Sequence, residues 1–211
     1  MTMSEINDAN LTDSLGYCIH PQLKWPKFGA AMVSEEPPMT STTWTAPMRP
    51  RDLPRRRVEI REYVFQPKWD GWYVVFQGGH VYTRHGEDIT GWACWAGREL
   101  PDNAVGELLH RDGRHRIPSL ATSADGLRVV LFDVPGDEPL EVRLAMLPEI
   151  AARYGFDAVE SFGVETWEQA NDAMAEAQTV PNVEGLVLKR RGSAWVAGES
   201  HRDWFRMKRA V

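Results

Sequence analysis

The tetrapeptide Lys68-Trp69-Asp70-Gly71 brings together residue types that could do covalent chemistry. It lies between two segments of β-type alternation, EYVFQ and WYVVF, so the lysine falls at a turn. A carboxylate stands two residues on, and a glycine lets another backbone come close. A lysine amine attacks phosphorus only as the free base, which calls for partial desolvation and for neighbouring cations, either a metal ion or other basic side chains. A K-x-D-G turn alone also describes many surface hairpins, so its companions along the chain decide the matter. The sequence holds no G-x-x-x-x-G-K-[ST] and no G-x-G-x-x-G. A nucleotide bound here is therefore not held by a P-loop or a Rossmann turn.

The companions follow in order: Arg84 and Gly86 in TRHGEDIT, Glu107 in VGELL, Phe132-Asp133 in VLFDVP, Glu184-Gly185 and Lys189 in EGLVLK, and Arg206-x-Lys208. With these motifs the chain resembles the covalent lysine nucleotidyltransferases, and specifically the adenylation domain of ATP-dependent DNA ligases, over roughly residues 46–209. APMRPRDLP and YVFQPKWDGW are similar to the approach to the nucleophile in bacterial ligases of this kind. The resemblance implies an α+β, ATP-grasp-like core of antiparallel sheets flanked by helices. It implies that Lys68 attacks the α-phosphate of ATP and releases pyrophosphate, storing the energy as a phosphoramidate. Asp70 would organise the nucleophile turn, and Arg84 would contact phosphate and the nucleic-acid end. Phe132 would stack on the adenine, with Gln66 beside the nucleotide on the strand leading to Lys68. Glu107 would contact the ribose or support the metal, and Glu184 would help hold Mg²⁺ or Mn²⁺, hard cations that want oxygen ligands beside phosphates. Lys189, Arg206 and Lys208 would sit near the phosphates and stabilise developing charge.

Two positions depart from the ligase pattern. Tyr73 stands where an arginine is usual, three residues after Asp70, which removes one fixed cation. Arg206 stands where lysine is usual, which keeps the charge but changes the donor geometry. A third departure is expected: in ligases this core is followed by an OB-fold domain, whereas the sequence ends just after the last basic motif and leaves no room for one. A protein partner that supplies the missing clamp, compensation by residues 1–45, or a chain that is a fragment would each account for this. An RNA ligase or a GTP-using capping enzyme would share the lysine chemistry, and TRHGEDIT with KWDGW favours nicked DNA over both. Outside the enzymes, a catalytically weakened module that binds nicks or adenylylated ends is the competing expectation, motivated by Tyr73 and the missing OB-fold domain.

The elements that must position these residues are legible in part. Residues 1–45 mix polar residues with Pro and Trp and have no sustained period, which predicts an extension preceding a domain at 46–211. EYVFQ, WYVVF and HVYTR predict an antiparallel meander, broken by Gly71 and by Gly78-Gly79. AVGELLH predicts a strand turning at Asp112-Gly113, and LRVVLFDV a strand apolar enough to be interior. LEVRLAMLPEIAARY predicts a helix stopped by Gly155, with Pro148 as a kink or restart. WEQANDAMAEAQ predicts a second, more exposed helix, and EGLVLKR a return to strand.

The chain has 211 residues and a formal net charge of -6. That charge argues against a protein that coats nucleic acid over its whole surface. Cys18 and Cys94 are far apart and outside any C-x-x-C, which indicates neither a disulfide framework nor a structural zinc site and fits a reducing cytoplasm. The polar N-terminus lacks a signal-peptide pattern and no stretch is long enough to span a bilayer, so a soluble protein with no membrane contact is expected. HRDGRH shares three letters with the catalytic loop of kinases, but the downstream asparagine and the D-F-G are missing; it reads as a turn, with His110 and His115 facing solvent. Trp92 and Trp95 read as core. The basic clusters at 49–61 and 189–209 would form a phosphate-tracking face. Such a face predicts a steep loss of affinity for nicked duplex between low and moderate salt. Flat binding in a fluorescence titration across that range would count against it.

Overall fold

The computed structural model describes residues 44–54, 58–198 and 200–208. Its strands are β1 (Arg49–Asp52), β2 (Tyr63–Trp69), β3 (Trp72–Gln77), β4 (His80–Thr83), β5 (Asn103–His110), β6 (Leu127–Asp133), β7 (Asp157–Ala158), β8 (Val183–Arg190) and β9 (Ser200–Met207). Helix α1 spans Leu140–Tyr154 and α2 spans Trp167–Ala177. One sheet has the order β1-β9-β8-β2 and the other β4-β3-β5-β6-β7. The pairs are antiparallel except β1 with β9 and β6 with β7. The architecture is α+β, as expected, with no closed barrel among the described residues.

The three-strand meander is only half realised. β3 and β4 pair as a hairpin, but β2 pairs with β8 in the other sheet, Lys68 opposite Gly185. The reason lies at Gly71, where a Cβ would fall 2.3 Å from the Leu108 carbonyl oxygen and 2.8 Å from Glu107 Cγ. The chain is pressed against β5 at this point and crosses between sheets instead of folding back on itself. Asp70 N–H donates to the Asn182 carbonyl at 2.8 Å and fixes the crossover from the other side.

The turn at Asp112-Gly113 is not a tight hairpin either. β5 and β6 do pair, as far as His110 opposite Leu127, but the link between them contains a 3-10 helix over Arg114–Ala121. Buried His110 packs on Gly126, where a Cβ would lie 2.6 Å from its ring, and His110 Nδ1 accepts from Asp112 N–H at 3.0 Å. His110 is thus a structural residue and not a solvent-facing one. β9, which the sequence marked only as basic and aromatic, forms because Trp204, Phe205 and Met207 are apolar enough to be buried beside β8.

Helix α1 buries Leu140, Arg143, Leu147 and Ala151 along one stripe. It ends as expected at Gly155, whose left-handed φ of 67° suits glycine. Pro148 does not interrupt it: the helix is continuous, and Pro148 sits on the exposed side. In α2 the Thr166 hydroxyl caps the first turn by accepting from Gln169 N–H at 3.2 Å. α1 packs with the five-stranded sheet around Phe76, Leu108, Leu131 and Trp95, and α2 with the four-stranded sheet around Phe65, Phe162, Met174 and Leu188. Trp92 and Trp95 belong to the first of these cores.

Of the expected extension, residues 1–43 lie outside the described residues, as does Cys18; Cys94 is a free, buried thiol. Trp44 and Thr45 pack on the domain: Thr45 N–H donates to Gln77 at 3.0 Å, and the Trp44 ring fills the space over Gly86. No helix among the described residues is long and apolar enough to cross a membrane. Gly71→Ala is expected to destabilise the domain by about 1–3 kcal/mol through overpacking against the β5 backbone. Urea unfolding monitored by tryptophan fluorescence checks this, and an unchanged midpoint would show that the crossover can relax.

Candidate active site

Lys68 occupies the last turn of β2, where the register with β8 shifts and the strand leaves the sheet. Its ammonium is ion-paired with Oε1 of Glu184 on β8. Lys208, just beyond β9, donates to the other oxygen, Oε2, at 2.8 Å. Gly185 makes this convergence possible, because a Cβ there would lie 2.2 Å from the Met207 carbonyl oxygen. β9 therefore reaches close enough for Lys208 to meet Glu184. Burial works to raise the Glu184 carboxyl, but the hydrogen bonds and charges of Lys208 and Lys68 prevail and hold it below the ordinary carboxylate range.

The crossover after β2 supplies the second part of the site. Glu107, on β5 directly opposite Tyr73, accepts from Gly71 N–H at 2.9 Å. Burial pushes the Glu107 carboxyl up to about 7, against the favourable charges of Lys68 and Arg114. Asp70 is paired with Arg114 Nη1 at 3.0 Å. Lys68, Asp70, Glu107, Glu184 and Lys208 thus gather at one junction between the sheets.

Beside it, Phe132 is the next-to-last residue of β6, its ring edge-on to Tyr73 with centroids 5.1 Å apart. Its carbonyl accepts from Lys189 Nζ at 2.7 Å and from Gln66 Nε2 at 3.4 Å, and Gln66 also donates to Ser161 at 3.0 Å. Buried Asp133 receives Lys189 at 3.0 Å and Arg143 at 2.8 Å, with all three side chains at most 1% exposed. Lys189 also lies 4.1 Å from the centre of the Trp204 ring. Burial lowers its ammonium to about 8, although Asp133 works the other way. Lys189 and Gln66 therefore position Phe132 from beneath; neither points into open space. Tyr73 is neutral and partly buried, its hydroxyl raised well above the ordinary tyrosine range by burial and oriented weakly toward the Met48 carbonyl at 3.5 Å.

Arg84 is exposed at the end of β4, its backbone N–H donating to the Tyr73 carbonyl at 3.1 Å. Arg206 is turned to Asp52 of β1, with Nη2 to Oδ2 at 3.0 Å, and this pair is the main cause that raises the guanidinium above its ordinary value. Of the residues read from the motifs, Arg206 and Lys189 are engaged away from Glu184. Two charged side chains at or beside the site gain no role from the sequence. Arg143 could have been found from its place on the apolar stripe of α1, which demands a buried counter-charge. Arg114 had no signal beyond a cation after a glycine turn.

The fold is that of the adenylation (nucleotidyltransferase) domain of ATP-dependent DNA ligases. A Lig E DNA ligase, described as binding DNA with a minimal scaffold, is similar with a TM-score of 0.64 and 20% identity over 79% of this chain and 70% of that one. Chlorella virus DNA ligase-adenylate matches with a TM-score of 0.62 and 13% identity over 78% and 67%. A mycobacterial DNA ligase D complexed with ATP and MES matches with a TM-score of 0.58 and 19% identity over 78% and 60%. No protein-family model and no curated protein matches the sequence.

The raised Glu107 carboxyl has a testable sign. An acid with an elevated folded-state pKa contributes stability that is present in full below its ordinary 4.5 and lost as pH rises through about 7. Glu107→Gln removes that titration, so the variant should lose less thermal stability than the wild type over this interval. Parallel melting curves across it would refute the assignment.

Proposed function

We propose that this chain is an ATP-dependent polynucleotide ligase core for nicked DNA, working through a lysine–AMP intermediate at Lys68. The observation that carries this reading is the convergence of Lys68 and Lys208 on Glu184, beside the Asp70–Gly71 crossover. The free amine of Lys68 forms a bond to the α-phosphorus of ATP as the bond to the bridging oxygen breaks, and pyrophosphate leaves. Glu184, ion-paired with Lys68, holds the side chain in place, and the proton that the attacking amine sheds passes to water or to the departing pyrophosphate. Lys208, once released from Glu184, stabilises the charge on the α-phosphate. Phe132 stacks on the adenine, and Arg84, exposed at the end of β4, meets the nucleic-acid end. AMP then passes to a 5′-phosphate, and the adjacent 3′-hydroxyl displaces it to seal the nick.

Mg²⁺ or Mn²⁺ fits this donor set. Among the described residues no group of three or more His, Cys, Asp or Glu side chains is arranged to hold a metal ion by itself. Mg²⁺ takes one or two carboxylates and completes its shell with phosphate oxygens and water. Glu184 and Glu107 would hold it, and the charge that is costly on buried Glu107 becomes favourable beside a cation. The ion would supply neutralisation of the phosphates. Neutral Tyr73 in place of a cation favours one second reading, a nick-binding module that does not take up AMP.

Incubation with α-labelled ATP and Mg²⁺, beside a Lys68→Ala control, separates the two. Acid-labile label on the wild type alone, chased into sealed product by nicked duplex, is the expected outcome. Absence of label with every metal and nucleotide would reject the enzyme.

A further inference from the structure

We propose that Arg114 is a phosphate-binding residue of this site, and that it supplies the cation absent at position 73; the inference rests on the ligase reading for its setting. Most cations near the junction are committed. Lys189 and Arg143 are buried on Asp133, Arg206 is held in two places by Asp52, and Lys68 and Lys208 share Glu184. Position 73 is filled by a tyrosine whose ring packs on Phe132.

Arg114 differs from these. Gly113, with a left-handed φ of 100°, turns the chain at the end of β5 so that Arg114 opens the 3-10 helix beside the crossover. One guanidinium nitrogen, Nη1, reaches Asp70 at 3.0 Å, and the charge is also felt by Glu107. Its side chain is 58% exposed, so part of the planar group remains open to solvent. The loop that presents it is itself fixed. His110 is wedged against Gly126, and Arg111 pairs with Asp125 at 2.8 Å across its base. A guanidinium anchored at one nitrogen and open at the others is suited to two-point contact with phosphate. Phosphate here has two sources, the polyphosphate of a nucleotide or the 5′-phosphate of a nucleic-acid end.

Full-length wild type, Arg114→Gln and Arg114→Lys are compared in two binding titrations. One uses inorganic tripolyphosphate; the other uses nicked duplex with a 5′-phosphate against the same duplex with a 5′-hydroxyl. Arg114→Gln is expected to weaken one of them on the order of 10-fold, with Arg114→Lys intermediate. A shift confined to tripolyphosphate assigns Arg114 to the nucleotide, and loss of 5′-phosphate discrimination assigns it to the nucleic-acid end. A residue that only steadied Asp70 would lower the rate of Lys68 labelling and leave both affinities unchanged, and that result overturns the proposal. Both titrations are independent of catalysis. A wild type that takes no label but binds phosphate through Arg114 would therefore reject the enzyme and keep this inference.

Discussion

Asp133 is a fully buried carboxylate that holds two cations, one from α1 and one from β8, across the seam where the two sheets meet. Charges so far from water are stabilised only through one another and through their hydrogen bonds, and removing any member would strand the rest. The network is better understood as a device of orientation than as a source of stability. Lys189 ties Asp133 to the carbonyl of Phe132, and Gln66 from β2 reaches the same carbonyl. The ring of Phe132, the strand that delivers Lys68 and the helix α1 are thereby fixed to one point. Arg143 extends the tie to the loop after β8 by donating to the Ser193 carbonyl at 2.8 Å.

Local pattern revealed much of this arrangement. β3 to β6, both helices and β8 follow from alternation, helical spacing and Gly155, because each buries a face that its own residues define. What stayed hidden was pairing. Nothing in EYVFQ and WYVVF says that they enter different sheets, since that depends on contact between Gly71 and a strand 36 residues further on. β1 is short, and its parallel partner is remote, so Arg49–Asp52 carried no period to read. The site behaved likewise. Motif order marked Lys68, Glu107, Glu184 and Lys208, which the fold brings to one junction. It could not show that Lys189 would face the interior, because a lysine on a strand is ordinarily solvated and only Asp133 with Arg143 makes burial tolerable.

The electrostatics of the junction are self-contained. Lys68 and Lys208 meet Glu184, Arg114 meets Asp70, and Arg206 meets Asp52. Each carboxylate occupies a position relative to its cation that a phosphate oxygen could also take. Glu107 is the exception, with a backbone N–H for a partner and a strongly raised pKa.

The parallel pairing of β1 with β9 joins residues separated by about three quarters of the chain, and Lys68 finds Glu184 across 116 residues. Contacts of such separation close late in folding, because the intervening loop entropy must be overcome first. A chain emerging during synthesis would display Lys68 long before it owned the carboxylate and the second lysine that surround it. The junction around Lys68 is thus complete only once β8 and β9 have both docked.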